Sequence, residues 1–191
     1  MSAQHCIADL SSNGALDAHQ GFLVSCYSQH PLVPALRRVL VERKKRDAAV
    51  TGIFEASVAA CLQSIDIDEK FGIVSTGKQW EGILDDAVAS LLGSNTSSRY
   101  AGTETTALNA VELHSTAKAE VDRRMKDATK RLLAKGARAV CLGCAGMAGM
   151  DQTVREACIE ELGEEAGSMV RIVDGVISGF IHLDGALRAM S

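Results

Sequence analysis

A chain of 191 residues that is 47% hydrophobic has enough apolar material for one domain with a full core or for two smaller lobes. A formal net charge of -4 and an aromatic content of 4% leave no basic footprint and little stacking surface, which argues against a nucleic-acid partner. No apolar run is long enough to span a bilayer, no charged-then-apolar leader opens the chain, and six scattered cysteines lack the density of a secreted scaffold; a cytoplasmic protein with reduced thiols and no membrane partner is expected.

Residues 1–20 are polar, carry turn chemistry at Ser11-Ser-Asn-Gly14 and show no sustained period, so an irregular lead-in is expected. Gly21 to Ser25 is a short apolar strand that delivers Cys26 into the polar turn Tyr27-Ser-Gln-His-Pro31. Leu32, Leu36 and Leu40 then recur at helical spacing, with Pro34 in the first turn and the cationic run Arg43 to Arg46 at the end. Ala49 to Gly52 is strand-like and leads into an apolar helix containing Cys61; Glu55 is a carboxylate in these apolar surroundings, either an N-terminal helix charge or a group near a site.

Phe71-Gly-Ile-Val-Ser-Thr-Gly-Lys78 contains the G-x-x-x-x-G-K spacing of a phosphate loop, but the residues after Gly72 are strand-like. Gln79 also stands where the motif needs a hydroxyl for magnesium, so nucleotide binding is rejected. A third strand end remains, with the hydroxyls of Ser75 and Thr76 before a helix over 80–92. Tyr100 begins a further short element that ends at Thr103 to Thr106. Ser115 or Thr116 can cap the clearest helix, whose stripe is Val121, Met125, Ala128 and Leu132 and whose stop is Gly136.

The stretch from Arg138 to Met150 is the focal point of the chain. An apolar run stops at Gly143 and delivers Cys144 into the small-residue turn Ala145-Gly-Met147, the sequence of a buried parallel strand and a βα-turn. Backbone amides there favour negative charge on a thiol; an arbitrary buried-looking cysteine is more often a small core residue, but the flanking glycines and the strand-end position favour a reactive role here. Cys141 and Cys144 are three apart, so they should face opposite ways, and no second ligand pair supports a metal site. Thr153 and Glu156 have capping-box spacing on the next helix, Val170 to Val173 is a last strand, Asp174 to Gly179 a glycine-rich turn, and Phe180 to Met190 a closing helix. Alternating strands and helices indicate an α/β protein with parallel sheet. His30 near Cys26, or His114 ahead of a helix cap, leaves a Cys-His pair conceivable.

Taken together, Ser25 to Pro31, Thr51 to Ser57, Phe71 to Lys78, Glu112-Leu-His114, Cys141 to Met147 and Val173 to Val176 resemble the hydantoin and allantoin racemase branch of the aspartate/glutamate racemase superfamily, from about Gly21 to the C-terminus. The resemblance implies two flavodoxin-like parallel-sheet lobes related by pseudo-symmetry, 21–66 plus 174–191 forming the first and 67–173 the second. It also implies a site between them and a cofactor-independent racemase of cyclic ureides. By that similarity Cys26 and Cys144 are the acid/base pair acting on opposite faces of the substrate carbon, with no metal and no cofactor. Tyr27, Ser28, Gly52, Ile53, Ser75, Thr76, Ala145 and Gly146 are the expected substrate-binding residues, the partner is a small molecule, and a homo-oligomer is expected. Full members open with a further strand and helix that residues 1–20 do not resemble, so an N-terminally truncated first lobe is expected. Thr103 to Leu108 likewise departs from the family's Ser-Thr-Gly-Leu. Two alternatives stand beside the racemase: a truncated relative that binds ligand or assembles without catalysis, and a one-thiol carbon-acid enzyme such as a decarboxylase.

Overall fold

The computed structural model describes residues 2–95 and 97–190. In chain order it contains α1 (Ala3–Ser12), α2 (Ala15–Ala18), β1 (Gly21–Val24), α3 (Leu32–Glu42), β2 (Ala49–Gly52), α4 (Ile53–Ser64), β3 (Lys70–Ser75) and α5 (Trp80–Leu92). There follow β4 (Tyr100–Thr105), α6 (Glu112–Ser115), α7 (Lys118–Ala134), β5 (Ala137–Leu142), a 3-10 turn over Ala145–Met147, α8 (Asp151–Leu162), α9 (Glu164–Met169), β6 (Arg171–Asp174) and α10 (Gly175–Met190). The chain is α/β with two parallel sheets. One pairs β1 with β2, and the other has the order β4-β3-β5-β6.

The period of two along the strands builds the larger sheet's two cores. Val74, Val140 and Leu142 face α7 and α8, where they meet Met125, Leu132 and Val154, with Met147 of the 3-10 turn in the same core. Phe71, Ile73, Ala139 and Cys141 face the other way, onto Phe54, Val58 and Cys61 of α4 and Leu84 and Val88 of α5. In the smaller sheet, Phe22, Val24 and Val50 pack on Val33, Leu36 and Leu40 of α3. Helix α10 packs against β1, β2 and α4, so the last element of the chain covers the first sheet. No helix among the described residues is long and apolar enough to cross a membrane.

The expected irregular lead-in is corrected. Residues 3–12 are helical, with Ser2 accepting from the His5 amide at 3.2 Å as N-cap. Ile7 and Leu10 pack against the α3 core, and Leu16 of α2 is fully buried there, so tertiary docking stabilises a helix whose own periodicity is weak. The glycine-rich turn expected at 174–179 is instead the end of β6 and the start of α10, which runs from Gly175. The Asp174 carboxylate accepts from the amides of Val176 (2.7 Å) and Ile177 (3.0 Å), which caps α10 directly at the end of β6.

Two capping expectations fail as well. Ser115 belongs to α6, and α7 starts after Ala117 with no side-chain cap. Thr153 is not an N-cap but donates to Asp122 Oδ1 on α7 at 3.0 Å, while Glu156 pairs with Lys126 at 2.8 Å, so these residues link α8 to α7.

Candidate active site

Strand ends of both sheets border one small cavity. Its volume is about 240 Å³, and it is lined by Ser25, Cys26 and Tyr27 after β1, Ser75 and Thr76 after β3, Gly143, Cys144 and Ala145 after β5, Trp80 at the start of α5, and Ala110. Open α/β sheets place ligands at the carboxyl ends of their strands, and here two separate sheets supply them. Cys26 is exposed, its Sγ 3.6 Å from Ser28 Oγ. Cys144 is half-buried and stands in extended conformation (φ -160°, ψ 138°) just before the 3-10 turn.

The turn that carries Cys144 is held by backbone bonds. The Gly143 amide donates to the Val74 carbonyl at 2.7 Å, and the Ser75 hydroxyl donates to the Gly143 carbonyl at 3.0 Å. A Cβ at position 143 would lie 2.5 Å from Ile73 Cγ2 and 2.9 Å from the Val74 carbonyl oxygen, so only glycine fits. The neighbouring strand end is joined to these, since the Thr106 amide and hydroxyl donate to the carbonyls of Ser75 (3.0 Å) and Thr76 (3.3 Å). The Ser75 hydroxyl is therefore committed to shaping the site.

Cys26, Tyr27, Ser75, Thr76, Cys144 and Ala145 line the cavity together; the other expected binding residues do not line it. Ser28 lines an adjoining hollow with Gln29, Ile83, Asp86 and Ala87. Gly52 and Ile53 do not line the cavity: both are buried where β2 meets α4, Ile53 beneath Gly179 of α10, because β2 passes straight into a helix that faces inward. Gly146 lies just behind the lining, where a Cβ would be 3.2 Å from His114 Nε2 and 3.7 Å from Cys144 Sγ, so His114 stands beside Cys144. His30 instead accepts from the Leu32 amide at 3.2 Å.

Ser25, Trp80, Ala110 and Gly143 line the cavity without having been singled out. Trp80 did carry a signal, being the single tryptophan at the mouth of a helix that follows a hydroxyl-rich strand end. Ala110 carried none. Glu55 does not line the cavity; burial raises its pKa, against the pull of Arg37 and His30, and its Oε2 is buried without a hydrogen bond. Among the described residues, no three His, Cys, Asp or Glu side chains cluster closely enough to hold a metal ion.

The fold has solved counterparts. The chain superimposes on the allantoin racemase of Klebsiella pneumoniae with a TM-score of 0.69 at 20% identity, covering 93% of this chain and 63% of that one. The allantoin racemase of Pseudomonas fluorescens gives 0.67 at 20% identity over 89% and 63%. The glutamate racemase isoform RacE1 of Bacillus anthracis gives 0.60 at 16% identity over 98% and 65%. Among curated sequences, an uncharacterised protein of Schizosaccharomyces pombe, C1F7.10, is 36% identical over 168 residues, which is 87% of this chain and 63% of that protein. Protein DCG1 of Saccharomyces cerevisiae is 32% identical over 137 residues, 68% of this chain and 52% of its own length. The chain thus spans less than two thirds of the curated relatives it matches. The family model for Asp/Glu/hydantoin racemases matches residues 1–180, and the chain belongs to that family.

Proposed function

We propose that this protein is an isomerase that racemises a cyclic ureide of the hydantoin or allantoin type, using Cys26 and Cys144 as a proton-accepting and proton-donating pair. The observation that carries the reading is that two thiols, each at the end of a strand in a different sheet, line one cavity of about 240 Å³.

The ring carbon between an amide carbonyl and a ring nitrogen is a carbon acid. One cysteine, as thiolate, takes its proton and becomes a thiol, and the electron pair moves into the adjacent carbonyl to give an enolate. The other cysteine, as thiol, returns a proton to the opposite face and is left as thiolate, so atoms and charge balance and only the configuration changes. The reaction needs no cofactor. The first amides of the 3-10 turn, Ala145 and Gly146, lie ahead of its first internal bond, from Met147 to Cys144, and are suited to the enolate oxygen. Trp80 and Ala110 supply the apolar wall for the ring, and Thr76 a polar group beside it.

The test is loss of optical rotation of an enantiopure 5-substituted hydantoin or of allantoin, run in D2O so that deuterium entering the ring carbon is counted by mass spectrometry. Cys26→Ser and Cys144→Ser should each lower turnover by about 10²- to 10⁴-fold. Turnover at the wild-type rate with both cysteines replaced would refute the proposal.

A further inference from the structure

Tyr27 is expected among the substrate-binding residues, yet its hydroxyl is engaged in the core behind the cavity. The oxygen lies 3.0 Å from Ser57 Oγ on α4 and 3.0 Å from Cys141 Sγ on β5. The ring meets Phe54 edge-on, with centroids 5.7 Å apart, and is only 6% exposed. It also fills the space left by two glycines: a Cβ at Gly175 would lie 3.0 Å from one ring carbon, and one at Gly143 would lie 3.3 Å from another.

The three side chains form one buried hydrogen-bonded chain. The Ser57 hydroxyl also lies 3.0 Å from the Phe54 carbonyl, to which it can donate, and the Tyr27 hydroxyl shares one hydrogen bond with Ser57 and one with Cys141. Burial holds the phenol well above its ordinary pKa, which keeps the Tyr27 proton in place.

This buried chain spans the two sheets. Tyr27 is one peptide bond from Cys26, on the loop after β1, while Cys141 is on β5, three residues before Cys144. Between them Gly143, against which the ring packs, has both backbone groups fixed by β3 and the residue that ends it. We propose that Tyr27 is a positioning residue: it ties the loop carrying Cys26 to the strand leading to Cys144 and so sets the distance and facing of the two thiols. This rests on the two-thiol racemase reading above, and it replaces substrate contact as the role of the Tyr27 hydroxyl.

Tyr27→Phe keeps the ring between the glycines and removes only the hydroxyl. In that variant kcat for an enantiopure 5-substituted hydantoin should fall about 10- to 100-fold with KM changed less than about threefold, because the loss is one of alignment rather than of binding. A second readout does not use turnover. Dibromobimane, which joins two thiols only when they are close, should bridge Cys26 to Cys144 in the wild type, with the bridged product read by mass spectrometry. Bridging in Tyr27→Phe should be about tenfold slower, while iodoacetamide alkylates each thiol within about twofold of the wild-type rate. Cys141→Ala removes one of the two partners of the same hydroxyl, so combining it with Tyr27→Phe should cost less than the sum of the two alone.

Equal bridging rates in wild type and Tyr27→Phe overturn the proposal whatever happens to kcat, and so does a kcat loss that merely follows the unfolded fraction seen by circular dichroism. If the wild type racemises no ureide but bridging still depends on Tyr27, the racemase reading fails and the tie stands. A wild type that neither bridges nor racemises overturns both.

Discussion

Replacing Gly72 by alanine puts a methyl group where β3 passes under α7. A Cβ there would lie 2.7 Å from Leu132 Cδ2, 3.0 Å from Cδ1 and 3.1 Å from Cγ. Leu132 is fully buried among Val74, Met125, Ala128 and Val140, so it has no free rotamer to retreat into. Overpacking of this kind costs about 1–3 kcal/mol, and the lower chain entropy of alanine in the unfolded state returns about 0.4–1 kcal/mol. The net expectation for Gly72→Ala is a loss of about 1–2 kcal/mol, or roughly 2–8 °C in Tm for a chain of this size. The control lies in the neighbour. Leu132→Ala alone should cost about 2–5 kcal/mol by leaving a cavity, and in that background Gly72→Ala should become neutral or stabilising as its methyl enters the vacated space. Urea unfolding of the four proteins, followed by far-ultraviolet circular dichroism and by the fluorescence of Trp80, measures the cycle. A Gly72→Ala chain as stable as wild type, or one whose cost is the same with and without Leu132, would refute the packing argument. The same result bears on the phosphate-loop spacing, because it gives Gly72 a reason to be glycine that involves no ligand.

Gly146→Ala would place a methyl 3.7 Å from Cys144 Sγ and 3.8 Å from Leu113 Cδ1, with the exposed His114 ring closest at 3.2 Å. Since His114 can turn aside, unfolding free energy should change by less than about 0.5 kcal/mol, while the rate of Cys144 alkylation by iodoacetamide falls several-fold; an unchanged alkylation rate would show that the sulfur is approached from elsewhere. Glu55 has a folded-state pKa raised chiefly by burial, so the native chain binds the extra proton and loses stability as pH rises from the unfolded value of 4.5 through the folded one. Glu55→Gln removes that loss, and its stability relative to wild type should therefore increase between pH 4 and pH 7.5 in urea titrations; a constant difference across that range would contradict the assignment.

Much of the fold was legible from periodicity. Strands β3 and β5 end where turns at Ser75 and Gly143 end them, and the stripe of Val121, Met125, Ala128 and Leu132 does face the core, because alternation and 3.6-residue spacing record which side of an element is buried. The errors cluster where tertiary partners override a local signal. Helix α1 is held by Ile7 and Leu10 docking on α3, and Gly175 and Gly179 look like turn residues although they are small to admit Tyr27, Leu23 and Ile53. Thr153 likewise has the spacing of a cap but has Asp122 as its partner.

The same division runs through the site. By itself the sequence determined that Cys26 and Cys144 each end an apolar strand at a small or polar turn, since strand, turn and thiol are contiguous in the chain. Only the tertiary structure decided that they line one cavity, that Trp80 and Ala110 close it, that Ile53 and Gly52 are buried away from it, and that the Tyr27 hydroxyl serves Ser57 and Cys141. Hydrophobic pattern specifies which face of an element is buried, but not which distant element covers it; that depends on how the two sheets are brought together, and no residue's neighbours along the chain encode it.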